Sequence, residues 1–135
     1  MATTATRTET FVGKRVRRRE DPRLITGTAT YVDDVKMPGM HHAMILRSPY
    51  AAARIKGIRT QAAAERPGVA AVFTHADIEG RIGPVPCGVS MPGLRVPAHA
   101  VLAKDRVYYA GHPVAVVVAT DRYVAADALD LIEID

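Results

Sequence analysis

The stretch 31-YVDDVKMPGMHHAMILRSPYAAARIKGI-58 decides the fold, because it holds a chain reversal, a short apolar run and a second extended segment. Met37-Pro38-Gly39 suits a type II turn, since proline presets the first corner and glycine accepts the positive φ of the second. The chain is expected to fold back there. Ala43 to Leu46 is consecutively apolar, too short for a helix with its own face, and bounded by Pro-Gly before and Ser-Pro after. That predicts a buried strand. After the polar break Arg47-Ser48-Pro49, Ala53 to Thr60 alternates in the strand sense, with Ala53, Ile55 and Gly57 on one side and Arg54, Lys56 and Ile58 on the other. It predicts a second strand with a partly exposed face.

Working outward toward the C-terminus, Thr60 is placed to cap a short helix over Gln61 to Glu65, which Pro67-Gly68 ends. VAAVFT, 69–74, has the β-branched and aromatic content of a strand, and Thr74 or His75 then opens a helical turn ending near Gly80. IGPVPCGVSMPGLRVPAHA, 82–100, carries Pro84, Pro86, Pro92 and Pro97, whose missing N–H groups forbid a central strand. A long irregular loop in a compact domain is usually functional or covered by a partner, which marks this one as a contact surface.

Val107 to Tyr109 reads as a short strand, Gly111-His112-Pro113 as a turn, and VAVVVA, 114–119, as a strand buried on both faces. Thr120 or Asp121 then caps a helix in which Val124, Ala128 and Leu131, beside Ala125, Leu129 and Ile132, form an inner stripe. Leu131 to Asp135 begins to alternate as a strand does. The domain is expected to be incomplete at that point, either a fragment or one piece of a subunit encoded in parts.

A chain of 135 residues with 48% hydrophobic content implies one domain with one core. Aromatics make up only 5% and tryptophan is absent, so the core is expected from Val, Ile, Leu, Ala and Met. Much of the formal net charge of +4 lies in Lys14, Arg15, Arg17, Arg18 and Arg19, followed at once by Glu20 and Asp21. Met1 to Thr10 is expected to be a disordered tail. Residues 11–30 read as an extended basic arm, closed by a short helical turn at Pro22 to Ile25. The single Cys87 excludes an internal disulfide and a thiolate-held metal or cluster, and favours a reducing compartment. No secretory h-region and no apolar run of roughly 18 residues occurs, so a soluble cytoplasmic protein is expected.

Candidate chemistry is sparse. Metal sites need three or four converging ligands, and His41-His42, if extended, point to opposite faces. Histidines 41, 42, 75, 99 and 112 therefore read as strand-entry and loop hydrogen-bonding residues. Asp33-Asp34 beside a Pro-Gly turn reads as an acceptor of local backbone N–H groups rather than an acid–base pair. Cys87, between Pro86 and Gly88, has no base or helix N-terminus nearby in sequence and reads as inert. The basic arm lacks interleaved aromatics for nucleic-acid stacking, and no GxGxxG or P-loop spacing occurs.

Three phrases carry a resemblance when taken in order. EDPRLITGTATYVDDVKMPGMHHAMILRSPYAAARI, PGVAAVFTHADI and VYYAGHPVAVVVATDRYVAADALDLIEID resemble the N-terminal a/b hammerhead domain of the molybdenum-carrying large subunit of xanthine dehydrogenase, aldehyde oxidase and carbon monoxide dehydrogenase type enzymes. The shared signals are Tyr31-Val32-Asp33 before a Pro-Gly turn, Arg47-Ser48-Pro49, Pro67-Gly68-Val69 and Gly111-x-Pro113-Val114-Ala115. They span roughly residues 12–135.

The resemblance implies an α/β (α+β) fold, a twisted mixed β-sheet flanked by about two helices with an extended N-terminal arm. It also implies a holoenzyme oxidoreductase using molybdopterin (molybdenum), 2Fe-2S clusters and FAD. Its partners would be the remaining molybdopterin-binding part of the large subunit, a FAD subunit and a 2Fe-2S subunit, with no membrane. No catalytic, cofactor or metal residue transfers to this chain. His112 stands where the family pattern usually has Glu or Gln. The expected partner contacts are Arg17, Arg18 and Arg19 of the arm, the Arg47-Ser48-Pro49 bend, and Cys87 in the Pro-rich loop. Arginine suits bidentate pairing with partner carboxylates. The competing reading is a free-standing binding module that uses the basic arm on an acidic partner such as nucleic acid; salt-sensitive binding would reveal it.

Overall fold

The computed structural model describes residues 11–89 and 91–135. The expected disordered tail, Met1 to Thr10, lies outside the described residues. The chain divides into two compact units between Met37 and Pro38.

In the first unit the basic arm leads into helix α1 (Asp21–Ile25), with Pro22 in its first turn, where a missing N–H leaves no helical bond unmade. The helix stops because Gly27 adopts φ +68° and the Thr28 and Ala29 N–H groups turn back onto the Arg23 carbonyl at 2.9 and 3.0 Å. A single 3₁₀ turn, Val32–Asp34, follows. There Asp34 accepts the Tyr31 N–H at 2.9 Å, the local role expected of the acidic pair.

The second unit is built in the order β1 (His42–Arg47), β2 (Ala53–Arg54), β3 (Ile58–Arg59), α2 (Gln61–Ala64), β4 (Val69–Thr74), α3 (His75–Ile78), β5 (Arg106–Val107), β6 (Pro113–Ala119), α4 (Arg122–Leu129), β7 (Glu133–Ile134). Its central sheet has the order β1-β6-β4, and two-stranded pairs β2-β5 and β3-β7 flank it. The α/β frame is as expected, but every described strand pair is antiparallel, so the sheet is not mixed. The most apolar strand, β6, is central and pairs with β1 on one edge and β4 on the other.

The pleat sorts side chains into two faces. Met44, Val117 and Val72 share one cross-strand row, and Leu46, Ala115 and Thr74 another. On that face Ala115, Val117 and Ala119 pack with Ala63, Ala125, Ala128 and Ile132 in one cluster. Alanines on both β6 and α4 remove the bulk that would hold helix and sheet apart. The largest fully buried side chains are therefore only Val114 and Val117. A second cluster, Ala103, Val107 and Val114, seals the end of the sheet near β2 and β5. Helix α4 starts where Asp121 accepts the Tyr123 and Val124 N–H groups at 2.6 and 3.3 Å.

Several local expectations are corrected. Residues 43–46 lie in a half-buried, alternating strand, because α4 covers only one face of β1. The 114–119 strand is fully buried on its inner face, whereas Val116 and Val118 on the outer face are half-buried. Residues 53–60 form two short strands with different partners. The Lys56 and Gly57 N–H groups both donate to the Asp135 carbonyl, at 2.7 and 3.4 Å, and the chain shifts frame there so that Ile58 joins the core side. The Thr60 side chain makes no capping bond to α2. Leu131 is exposed because α4 ends at Leu129, before the stripe reaches it. The strand expected at 107–109 is Arg106–Val107 instead. Among the described residues no helix is long and apolar enough to cross a membrane.

Candidate functional site

Strand β1 ends at Arg47 because Pro49 has no N–H to continue a ladder and a register shift falls between Leu46 and Arg47. The chain then bends, and the bend is fastened to the turn before β6. The Ser48 N–H donates to the His112 carbonyl at 3.0 Å, and the Gly111 N–H donates to the Ser48 carbonyl at 2.7 Å. Arg47 Nη1 adds a bond to the Gly111 carbonyl at 2.9 Å. Ser48 is buried, and its Oγ accepts the Tyr50 N–H at 3.0 Å. Gly111, at φ +89°, supplies the left-handed corner that this arrangement requires.

His112 lies at the centre of this turn with only 3% of its surface exposed. Its Nδ1 accepts the Tyr108 N–H at 3.3 Å, so in the neutral ring the proton resides on Nε2. Nε2 has no hydrogen-bond partner among the described residues. The Tyr109 ring stacks on His112 with centroids 4.6 Å apart, and the His99 ring stacks on it at 5.6 Å. Burial first, and then the neighbouring His99, push the His112 pKa below its ordinary value. The His99 carbonyl accepts the Val85 N–H at 2.8 Å, and Tyr109 Oη lies 3.4 Å from His99 Nε2. The Pro-rich loop is thus folded back on itself and pinned to the same cluster that holds the bend.

Of the expected contact residues, Arg47, Ser48 and Pro49 gather at this turn. Cys87 is exposed in the loop, with Sγ donating to the Val89 carbonyl at 3.4 Å. Arg17, Arg18 and Arg19 belong to the other unit, where Arg18 pairs with Asp21 at 3.0 Å. Sequence reading took His112 as a loop hydrogen-bonding residue and did not foresee its burial at the centre of the turn. Its signal was the 108-YYAGH-112 spacing, which lets an aromatic pair enclose the ring.

The arrangement is held by backbone and side-chain hydrogen bonds, and among the described residues neither Ser48 nor Cys87 is bonded to a base. Among the described residues no three His, Cys, Asp or Glu side chains gather to hold an ion. The pocket beneath the bend, lined by Pro49, Tyr50, Ile55, Val107, Val114 and Ile134 among others, measures about 110 Å³. Ordinary small-molecule sites run to roughly 300–1,000 Å³. These residues do not fit a molybdenum ion or its pterin. What they can do is hold a bend and a loop in fixed relation.

Comparison with known proteins accords with that geometry. The sequence pattern of the family described as aldehyde oxidase and xanthine dehydrogenase, a/b hammerhead domain, matches residues 26–135. The chain is 46% identical over 136 aligned positions to the carbon monoxide dehydrogenase large chain of Afipia carboxidovorans, covering 98% of this chain and 16% of that protein. It is 44% identical to the nicotine 6-hydroxylase large subunit of Paenarthrobacter nicotinovorans, covering 95% of this chain and 16% of that one. Among solved structures, quinoline 2-oxidoreductase from Pseudomonas putida 86 superposes with a TM-score of 0.82 at 38% identity, over 89% of this chain and 15% of that one. The chain therefore spans about one-sixth of the length of the curated relatives it matches.

Proposed function

Because the chain belongs to the a/b hammerhead domain family of aldehyde oxidase and xanthine dehydrogenase, we propose that it is the N-terminal structural and assembly domain of a molybdenum hydroxylase large subunit. The observation that carries this reading is coverage: nearly the whole chain aligns with large subunits of which it makes up only 16%. The complete enzyme is an oxidoreductase hydroxylating an aldehyde or a heterocycle, or oxidising carbon monoxide, with water as the oxygen source. Molybdopterin sits in the remainder of the large subunit, and 2Fe-2S and FAD subunits carry the electrons away. A cytoplasmic setting is consistent with the free, exposed Cys87.

In this reading residues 11–30 form the basic arm and 31–135 the hammerhead domain. The partner-contact surfaces are Arg17, Arg18 and Arg19, the bend at Arg47 and Pro49, whose shape the buried Ser48 holds, and the loop around Cys87. The loop suits contact because Val89, Met91, Leu94 and Val96 are exposed on it between prolines that limit its entropy in the free state. The bend contributes differently, by fixing where the loop stands.

Metal, flavin and iron analysis of the purified chain tests this. The chain alone is expected to carry none of them and to turn over neither carbon monoxide nor aldehydes. Stoichiometric molybdenum on the isolated chain, or turnover by it, would overturn the reading.

A further inference from the structure

The outer face of the central sheet is apolar where an antiparallel sheet with one solvated face carries polar side chains. Two cross-strand rows make it up: Ile45, Val116 and Phe73 in one, and Ala43, Val118 and Ala71 in the other. None of the six side chains has a polar atom. Ile45 and Phe73 are 41% and 39% exposed. The opposite face of the same strands packs with α2 and α4. Among the described residues the apolar character of β6 is packed against helices on only one of its two faces.

The dimensions of this partly exposed face say what fits it. Three strands about 4.8 Å apart make a strip roughly 10 Å wide, which is about the diameter of one α-helix. A two-layer unit that adds a helix on its second face becomes the familiar three-layer arrangement. The small residues Ala43 and Ala71 flank Val118 in the register, leaving room for a helix to approach closely at that row.

We propose that this face is the docking surface for an apolar helix from the remainder of the large subunit, laid across β6 opposite α4. The inference rests on the large-subunit reading above. A segment of the same polypeptide is favoured over a second copy or a separate protein because in each relative compared the corresponding region is a part of about 15–16% of one longer chain. Covalent linkage then holds the partner at an effective concentration in the millimolar range for short linkers, which separate chains at cellular levels do not reach.

Photo-crosslinking in the assembled enzyme tests it. Phe73→p-benzoylphenylalanine and, separately, Ile45→p-benzoylphenylalanine are purified from the native host and irradiated, and the adducts are mapped by mass spectrometry. Tyr123, exposed on α4, receives the same replacement as the control. Adducts from positions 73 and 45 on one apolar helical segment of the large subunit, absent from position 123, are the expected result. Adducts on a second copy of this chain, on residues 11–37, on another protein, or with solvent alone, in an enzyme that does contain the large subunit, would overturn the docking inference while leaving the large-subunit reading intact. Purification of the chain with no large-subunit sequence attached or associated would remove that reading itself. As an independent check, Phe73→Lys with Ile45→Lys is expected to lower recovery of assembled enzyme at least tenfold; recovery equal to the parent overturns the inference too.

Discussion

Lowering the pH should loosen the His112 turn, and the size of the effect follows from where that ring sits. His112 is buried against Tyr109 and His99, with Tyr108 tilted beside it at 6.0 Å. Arg47 is bonded to the adjacent Gly111 carbonyl. Burial and the His99 neighbour lower its folded-state pKa. The unfolded chain therefore takes up the proton first as pH falls. Stability is full above the unfolded-state value of about 6.5 and declines as pH drops toward the lower folded value, by up to about 1.4 kcal/mol per pH unit. For a domain of this size that corresponds to roughly 3–5 °C in Tm per unit.

The assay is thermal unfolding at half-unit steps between about pH 8 and pH 5, above the range where most carboxylates titrate. His112→Gln keeps an acceptor for the Tyr108 N–H and removes the titration. The two melting curves should run parallel above about pH 7, and the parent should fall more steeply below it. Parallel behaviour down to pH 5 would refute the buried, neutral His112.

Three further pairs of substitutions probe the frame around it. Gly68 adopts φ +90°, and a Cβ there would lie 3.2 Å from both Thr120 Oγ1 and Val124 Cγ1, so Gly68→Ala should cost about 1–3 kcal/mol in urea unfolding. Gly57→Ala, with open space and ordinary φ, should be near neutral by comparison. Asp121→Ala removes a cap that accepts two N–H groups and should cost about 1 kcal/mol, whereas Thr60→Ala, which loses no capping bond, should cost only a few tenths. Val117→Ala empties a fully buried position and should cost roughly 2–3 kcal/mol. Val116→Ala, on the half-buried outer face, should cost under half of that in the isolated chain.

The sequence made the local punctuation legible and left the pairing obscure. Gly39, Gly68 and Gly111 were readable as turns because each takes a positive φ that other residues resist. A cap at Thr120 or Asp121 was readable for the same kind of local reason, and Asp121 is the one that fills it. The division of residues 53–60 into two strands was not, because it depends on Asp135, far along the chain, accepting two N–H groups at residues 56 and 57. The antiparallel order β1-β6-β4 is likewise a long-range fact. The run from Val114 to Ala119 correctly signalled a strand. It overstated burial, because periodicity reports what a face prefers and not whether a neighbour within the chain covers it.

The bend at residues 47–49 was visible as a polar break, but its fastening to Gly111 and His112 required the two turns to be seen together. The burial of His112 was hidden because a histidine between glycine and proline looks like a loop residue. Only the stacking of Tyr109 and His99 makes it a buried one.

The central claim is that this chain is a structural domain of a larger molybdenum enzyme, and affinity purification of the tagged chain from its own host tests it most directly. Protein composition by mass spectrometry would be read together with molybdenum and iron content. The account predicts recovery of large-subunit sequence, covalently continuous or in equal amount, together with flavin and iron-sulfur subunits and with molybdenum. Recovery of the chain alone, free of metal and of any larger partner, would contradict it.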